Sequence, residues 1–135
     1  MKENAAINGV LDRMSIHGYA DRNFYKAIDP LRLPTSVLLV DIEGGEFSLL
    51  DRELLSIFRK SVIIIELHGD LQSERVIALR EAADEIFEVS ELMTTARDPS
   101  TIVELHRFSD TDRWLICSEG RPSLMRWLRL DPRAE

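Results

Sequence analysis

Two short acidic segments carry the chemistry this sequence can offer. Val37 to Val40 runs into Asp41-Ile42-Glu43-Gly44-Gly45-Glu46, and Val62 to Ile65 runs into Glu66-Leu67-His68-Gly69-Asp70. A carboxylate at the end of an apolar strand needs a reason, because burying an unpaired charge is costly. Asp41 could orient or deprotonate a hydroxyl nucleophile, or hold a divalent cation that does so. Glu66 and His68, two residues apart, share one side of an extended chain. Next to Asp41 they form a carboxylate–imidazole pair, the sort of base that hydroxyl chemistry uses. The competing reading is capping: Asp41, Glu43 or Glu46 at the start of a following helix would stabilise its free N–H groups and dipole. Gly44 either lets a ligand approach the backbone near Asp41 or serves a tight strand-to-helix turn, and Gly45 reads as the turn. The spacing is no specific metal signature, so no metal ligand is assigned. His17 and His106 have no partner in sequence and receive no role.

The elements that must position these groups follow from periodicity. Val37 to Val40 and Val62 to Ile65 are continuous apolar runs rich in β-branched residues, the pattern of parallel strands buried on both faces. Between them Phe47, Leu50, Leu54 and Ile57 form one apolar stripe, predicting a helix that ends near Arg59-Lys60. Ser73 reads as the N-cap of a second helix carrying Val76, Leu79, Ala83 and Ile86. Phe87 and Val89 begin a third strand. The flanks are less regular. Residues 1–8 read as the end of a helix stopped by Asn8-Gly9, 13–17 as a short strand, and 18–34 as mostly loop, interrupted by Asp29-Pro30 and Leu33-Pro34. Residues 102–108 are open between helix and strand. A last strand is expected at 113–118, and a terminal helix from Pro122 with Leu124, Trp127 and Leu128 on one side. Alternating strands and helices predict an α/β layered sheet, mostly parallel, with helices packed on it. In open α/β sheets ligands bind at the carboxyl ends of the strands, where both acidic segments fall.

Composition sets the bounds. The chain has 135 residues, 44% hydrophobic and 30% charged, enough for one core. No run approaches the roughly 20 apolar residues of a membrane span, and no hydrophobic leader follows Met1. Seventeen Lys and Arg against 24 Asp and Glu give a net charge of -7, which argues against a nucleic-acid partner. Arg121, Arg126, Arg129 and Arg133 tilt the C-terminal segment basic and read as a solvated face. Cys117 is the single cysteine, in the apolar run Trp114-Leu115-Ile116-Cys117. It reads as a small buried hydrophobe. A cytoplasmic location is expected.

The run Val37-Leu38-Leu39-Val40-Asp41-Ile42-Glu43-Gly44-Gly45-Glu46-Phe47, followed by Ile63-Ile64-Ile65-Glu66-Leu67-His68, resembles FkbM-type methyltransferases. The hallmark of that family is an apolar strand entering Asp-(Ile/Val)-Glu-Gly-(Ala/Gly)-Glu, then a helix, then a strand ending in Glu. Asn4 to Val10 is similar to the helix end preceding a further strand of such enzymes, and His17 to Asp21 to the loop after it. The resemblance spans roughly residues 4–118. It implies a Rossmann-like fold and transfer of a methyl group from S-adenosylmethionine to an oxygen of a small molecule or sugar. It makes Asp41, Glu43, Glu66 and His68 the catalytic candidates. It places Tyr19, Ala20, Asp21 and Gly44 near the cofactor. It also likens the chain to the C-terminal part of that fold: the first strands and their Gly-rich cofactor turn have no counterpart here. Cofactor binding by the chain alone is therefore expected to be weak. On this reading residues 1–121 form a partial methyltransferase-like domain and 122–135 a helix or tail.

Three functions compete. The first is the methyltransferase, with a small-molecule or sugar acceptor. The second is a non-catalytic remnant of that fold that oligomerises, a homodimer being expected because the strand at 37–40 is left with a bare apolar edge. The third is a small metal-dependent hydrolase built on Asp41, Glu43, Glu66 and His68.

Overall fold

The computed structural model describes residues 1–69, 72–118 and 125–134, and the chain divides into two compact units, 1–32 and 33–135. In the first, α1 (Lys2–Ile7) buries Ala5. It stops where Gly9 turns left-handed at φ 63°, as a helix stop requires. The strand expected at 13–17 does not form. Leu11–Arg13 is a single 3-10 turn and the residues after it pair with nothing in a sheet. Alternation alone cannot make a strand without a neighbour to complete the ladder. Further on, Asp21 Oδ1 accepts the Asn23 N–H at 2.7 Å and Asp29 Oδ1 the Leu31 N–H at 3.0 Å. These are side-chain-closed turns that keep the segment irregular.

The second unit holds a four-stranded sheet. Its strands are β1 (Val37–Val40), β2 (Val62–Leu67), β3 (Phe87–Met93) and β4 (Arg126–Pro132), in the order β1-β2-β4-β3. β1 and β2 are parallel, whereas β4 runs antiparallel to both β2 and β3. The sheet is thus mixed rather than mostly parallel. The cause lies in the last segment: where a terminal helix was expected, residues 126–132 enter the sheet between β2 and β3. Leu128 and Leu130 alternate into the core while Arg129 faces solvent, the period-2 pattern of a half-buried strand. Trp127 and Leu128 are therefore on opposite faces, not one. Pro122 and Leu124 lie outside the described residues.

β1 also differs from expectation. It is an edge strand, with Val37 65% and Leu39 63% exposed, so it is not covered on both faces. β2 is interior, and Ile63, Ile65 and Leu67 are buried. The helix between β1 and β2 forms in two pieces, α2 (Glu46–Leu49) and α3 (Arg52–Ile57). The break falls at Asp51, whose carboxylate accepts the Leu54 N–H at 2.9 Å and caps α3. Leu54, Leu55 and Phe58 then pack into the core. Next, α4 (Glu74–Asp84) buries Val76, Leu79 and Ala83.

Of residues 113–118, expected as a strand, 113–117 belong to helix α5 (Asp110–Cys117) and Ser118 is its C-cap. Ser109 Oγ accepts the Asp112 N–H at 3.2 Å, and Asp110 and Asp112 sit in the first turn, where the helix dipole favours acids. Cys117 is half-buried rather than fully enclosed. Residues 102–108 contain a 3-10 turn at Val103–Leu105. Among the described residues no helix is long and apolar enough to cross a membrane.

Candidate functional site

The register of β1 on β2 builds the site. Val40 stands opposite Ile65, so Asp41, just past the end of β1, comes beside Glu66, which is still within β2 and opposite Trp127 of β4. From there β1 turns into α2. Glu43 has φ 52° and Gly44 φ 94°, two successive left-handed residues. A glutamate in that region costs about 1–2 kcal/mol, and glycine at 44 meets the second demand without strain. At Gly45 a Cβ would come within 3.2 Å of the Ile42 side chain and carbonyl, so a larger residue there requires Ile42 to shift by a few tenths of an ångström.

Glu46 is the keystone. It is fully buried, and its carboxylate accepts three hydrogen bonds. Oε2 takes the Gly44 N–H at 2.9 Å. Oε1 takes the His68 backbone N–H at 3.0 Å and the His68 ring Nδ1–H at 3.1 Å. The ring therefore carries its proton on Nδ1 and turns Nε2 outward. Outward means toward acids: Nε2 lies 3.4 Å from Glu43 Oε2 and 3.7 Å from Asp41 Oδ1. One imidazole thus faces three carboxylates. Glu66 is 2% exposed. It offers an oxygen that lies with one oxygen of Asp41 and one nitrogen of His68, all within 4.8 Å of one another.

Asp41, Glu43, Glu66 and His68 are thus brought together, and Gly44 sits in the same turn. Asp41 is no helix cap, because the N-cap position of α2 is Gly45 and receives no side-chain bond. The role of Glu46 was visible in sequence only as an acid near a helix start; its burial and its grip on His68 were not. A capping-box-like acid followed by a strand-end histidine is the signal that could have found it.

The remaining candidates stand elsewhere. Tyr19 and Ala20 line a cavity of about 900 Å³ within the first unit, together with His17 and Phe24. Tyr19 is 95% exposed and so does not cover the core. Asp21 closes its turn onto Asn23. His106 Nε2 pairs with the Ser100 carbonyl at 3.0 Å. Of the C-terminal arginines, Arg126 pairs with Glu91 at 2.8 Å and Arg129 with Asp131 at 2.9 Å. Arg133 donates to the Phe87 carbonyl at 3.1 Å. These cations have protein partners, and Arg121 lies outside the described residues. A cavity of about 500 Å³ lies between Phe47, Asp51, Arg75 and Leu79, and no rim residue lines it.

A layered α/β domain with its polar groups gathered where two parallel strands end belongs to the broad class that works at strand carboxyl ends. The family model of the methyltransferase FkbM domain matches residues 26–120, which include both strands and every rim residue. The chain belongs to the FkbM methyltransferase domain family. No curated protein and no solved structure matches it.

Proposed function

We propose that the rim formed by Asp41, Glu43, Glu66 and His68 receives the hydroxyl of a small molecule or sugar and removes its proton, as the acceptor side of an O-methyl transfer. The observation that carries this reading is the His68 ring. Its Nδ1–H is committed to buried Glu46, and its Nε2 is presented beside two carboxylate oxygens. An alcohol must lose its proton as its oxygen becomes a nucleophile, and a cluster of fixed proton acceptors is what that step needs. Alignment supplies the rest. S-adenosylmethionine is the methyl donor of this reading, and what it supplies is an activated methyl group.

The rim fits that donor in part. Three acids, Asp41, Glu43 and Glu46, cluster at the β1 turn, and the Gly44 amide is already given to Glu46. The acids of the turn thus suit the donor's positive ammonium and sulfonium, while its carboxylate finds no free Gly44 amide. Tyr19, Ala20, Asp21 and Gly44 remain the candidates for contact with the donor, on the family resemblance. The reading goes with a cytoplasmic, homodimeric protein. The lone Cys117 and the exposed edge of β1 support those two points.

The test is transfer of labelled methyl groups from S-adenosylmethionine to a panel of hydroxylated small molecules and sugars. Asp41→Asn should abolish transfer with a melting point within about 2 °C of wild type, since Asp41 is half exposed and caps nothing. Normal transfer by Asp41→Asn would refute the reading.

A further inference from the structure

We propose that Asp41, Glu66 and His68 bind a divalent transition-metal cation of the manganese type. The argument starts from a surplus of acceptors. With Nδ1–H held by Glu46, a neutral His68 presents a lone pair at Nε2. Facing it are carboxylate oxygens of Asp41 and Glu43, which are also acceptors. Acceptors at 3.4 and 3.7 Å with nothing to donate between them repel one another. A cation in their midst reverses the sign of every one of these contacts. The cation is either a second proton on the ring or a metal ion.

Three features favour the metal. Glu66 adds a buried carboxylate oxygen from the neighbouring strand to the same cluster. The ligand atoms lie within 4.8 Å of one another. Two ligands each about 2.1 Å from one ion stand roughly 3–4 Å apart, so a small rotation of half-exposed Asp41 completes the set. The Glu46–His68 bond also has the form that orients metal-bound imidazoles, a carboxylate on the far nitrogen. Two carboxylates and one imidazole are a mixed oxygen and nitrogen set. It suits manganese better than calcium, which takes oxygens alone, or zinc, which favours more nitrogen or sulfur.

The role of the ion rests on the acceptor reading above, although its binding does not. The three protein ligands would leave coordination positions open toward solvent, where a hydroxyl can sit. The O–H bond breaks with its electron pair left on oxygen, and the proton passes to Glu43. That side chain is 86% exposed and is held over the rim by its left-handed backbone.

The test uses the full chain and manganese alone. Loss of the free-ion electron paramagnetic resonance signal on titration should show one saturable site per chain. Asp41→Asn and His68→Gln should each weaken it by about 10-fold or more, the scale of lost metal-site contacts, while Glu88→Gln on β3 should leave it unchanged. The wild-type melting point should rise with added manganese, and that of Asp41→Asn should not. Absence of saturable binding at millimolar manganese, or equal binding by Asp41→Asn, overturns the proposal. So does methyl transfer that survives chelation but is lost in His68→Gln; that result would leave the acceptor reading standing. Stoichiometric manganese binding without transfer to any acceptor would sustain the cation and remove the acceptor reading.

Discussion

Replacing Glu46 by alanine tests whether one buried carboxylate holds the rim together. The substitution strips the partner from two backbone N–H groups, those of Gly44 and His68, and from the His68 ring. An orphaned buried donor costs about 1–3 kcal/mol, so the two amides together give about 3 kcal/mol. For a chain of this length 1 kcal/mol moves the midpoint by about 3–5 °C, and the expected loss is about 10 °C. Glu46→Gln keeps one acceptor oxygen and sets an NH₂ against one donor, so its loss should be about half that. Thermal melts by circular dichroism read the stability. Nitrogen-15 spectra of the imidazole read the second consequence: the proton fixed on Nδ1 in the wild type should distribute over both ring nitrogens in Glu46→Ala. A melting point within 2 °C of wild type, or an unchanged tautomer, would refute the keystone role.

Other outcomes follow from the same geometry. Glu43→Gly removes about 1–2 kcal/mol of left-handed strain but adds unfolded-state freedom worth 0.4–1 kcal/mol. Its midpoint should therefore stay level or rise, by no more than about 8 °C, while methyl transfer falls at least 10-fold in a steady-state assay. Asp51→Ala deletes the α3 cap and should cost about 1 kcal/mol in urea unfolding. Asp131 has its carboxyl held below the usual range by the hydrogen bond from Arg129. A lowered folded-state value means its contribution is present above the ordinary Asp range near 3.9 and fades as pH falls through the folded value. The small melting difference between wild type and Asp131→Asn should be present at pH 7 and vanish at the acid end of a pH series. Leu39→Lys on the β1 edge should suppress self-association in light scattering across a dilution series, and a wild-type monomer at every concentration would refute pairing through that edge.

The two site strands were legible because their composition leaves little choice: Val-Leu-Leu-Val and Val-Ile-Ile-Ile each run straight into acids. Once the strands are neighbours, Asp41 and Glu66 must meet. The C-terminal third was misread for a definable reason. Trp114-Leu115-Ile116-Cys117 has strand-like composition, but the Ser109 cap and two first-turn aspartates outweigh it. The alternation of Leu128 and Leu130 with Arg129 is a strand signal that competes with Pro122, a helix-start residue followed by apolar residues. The division of the β1–β2 connection at Asp51 was hidden because the apolar stripe continues across the break. Least legible was Glu46, since nothing local to its position says that its partners are an amide two residues on one side and a histidine two elements away.

The place of β4 has a consequence for the newborn chain. Synthesis is vectorial, so β1, β2 and β3 leave the ribosome before the strand that lies between β2 and β3. Until residues 126–132 emerge, no described strand bridges β2 and β3, and the flanks of both are open for the seconds that translation of the intervening stretch takes. The rim from Asp41 to His68 can gather early, on β1, β2 and the turn between them, but Trp127, the ladder partner of Glu66, arrives only with β4. A stop codon just ahead of Arg126 would remove the central seam of the sheet, leaving two open edges prone to pair with other nascent chains.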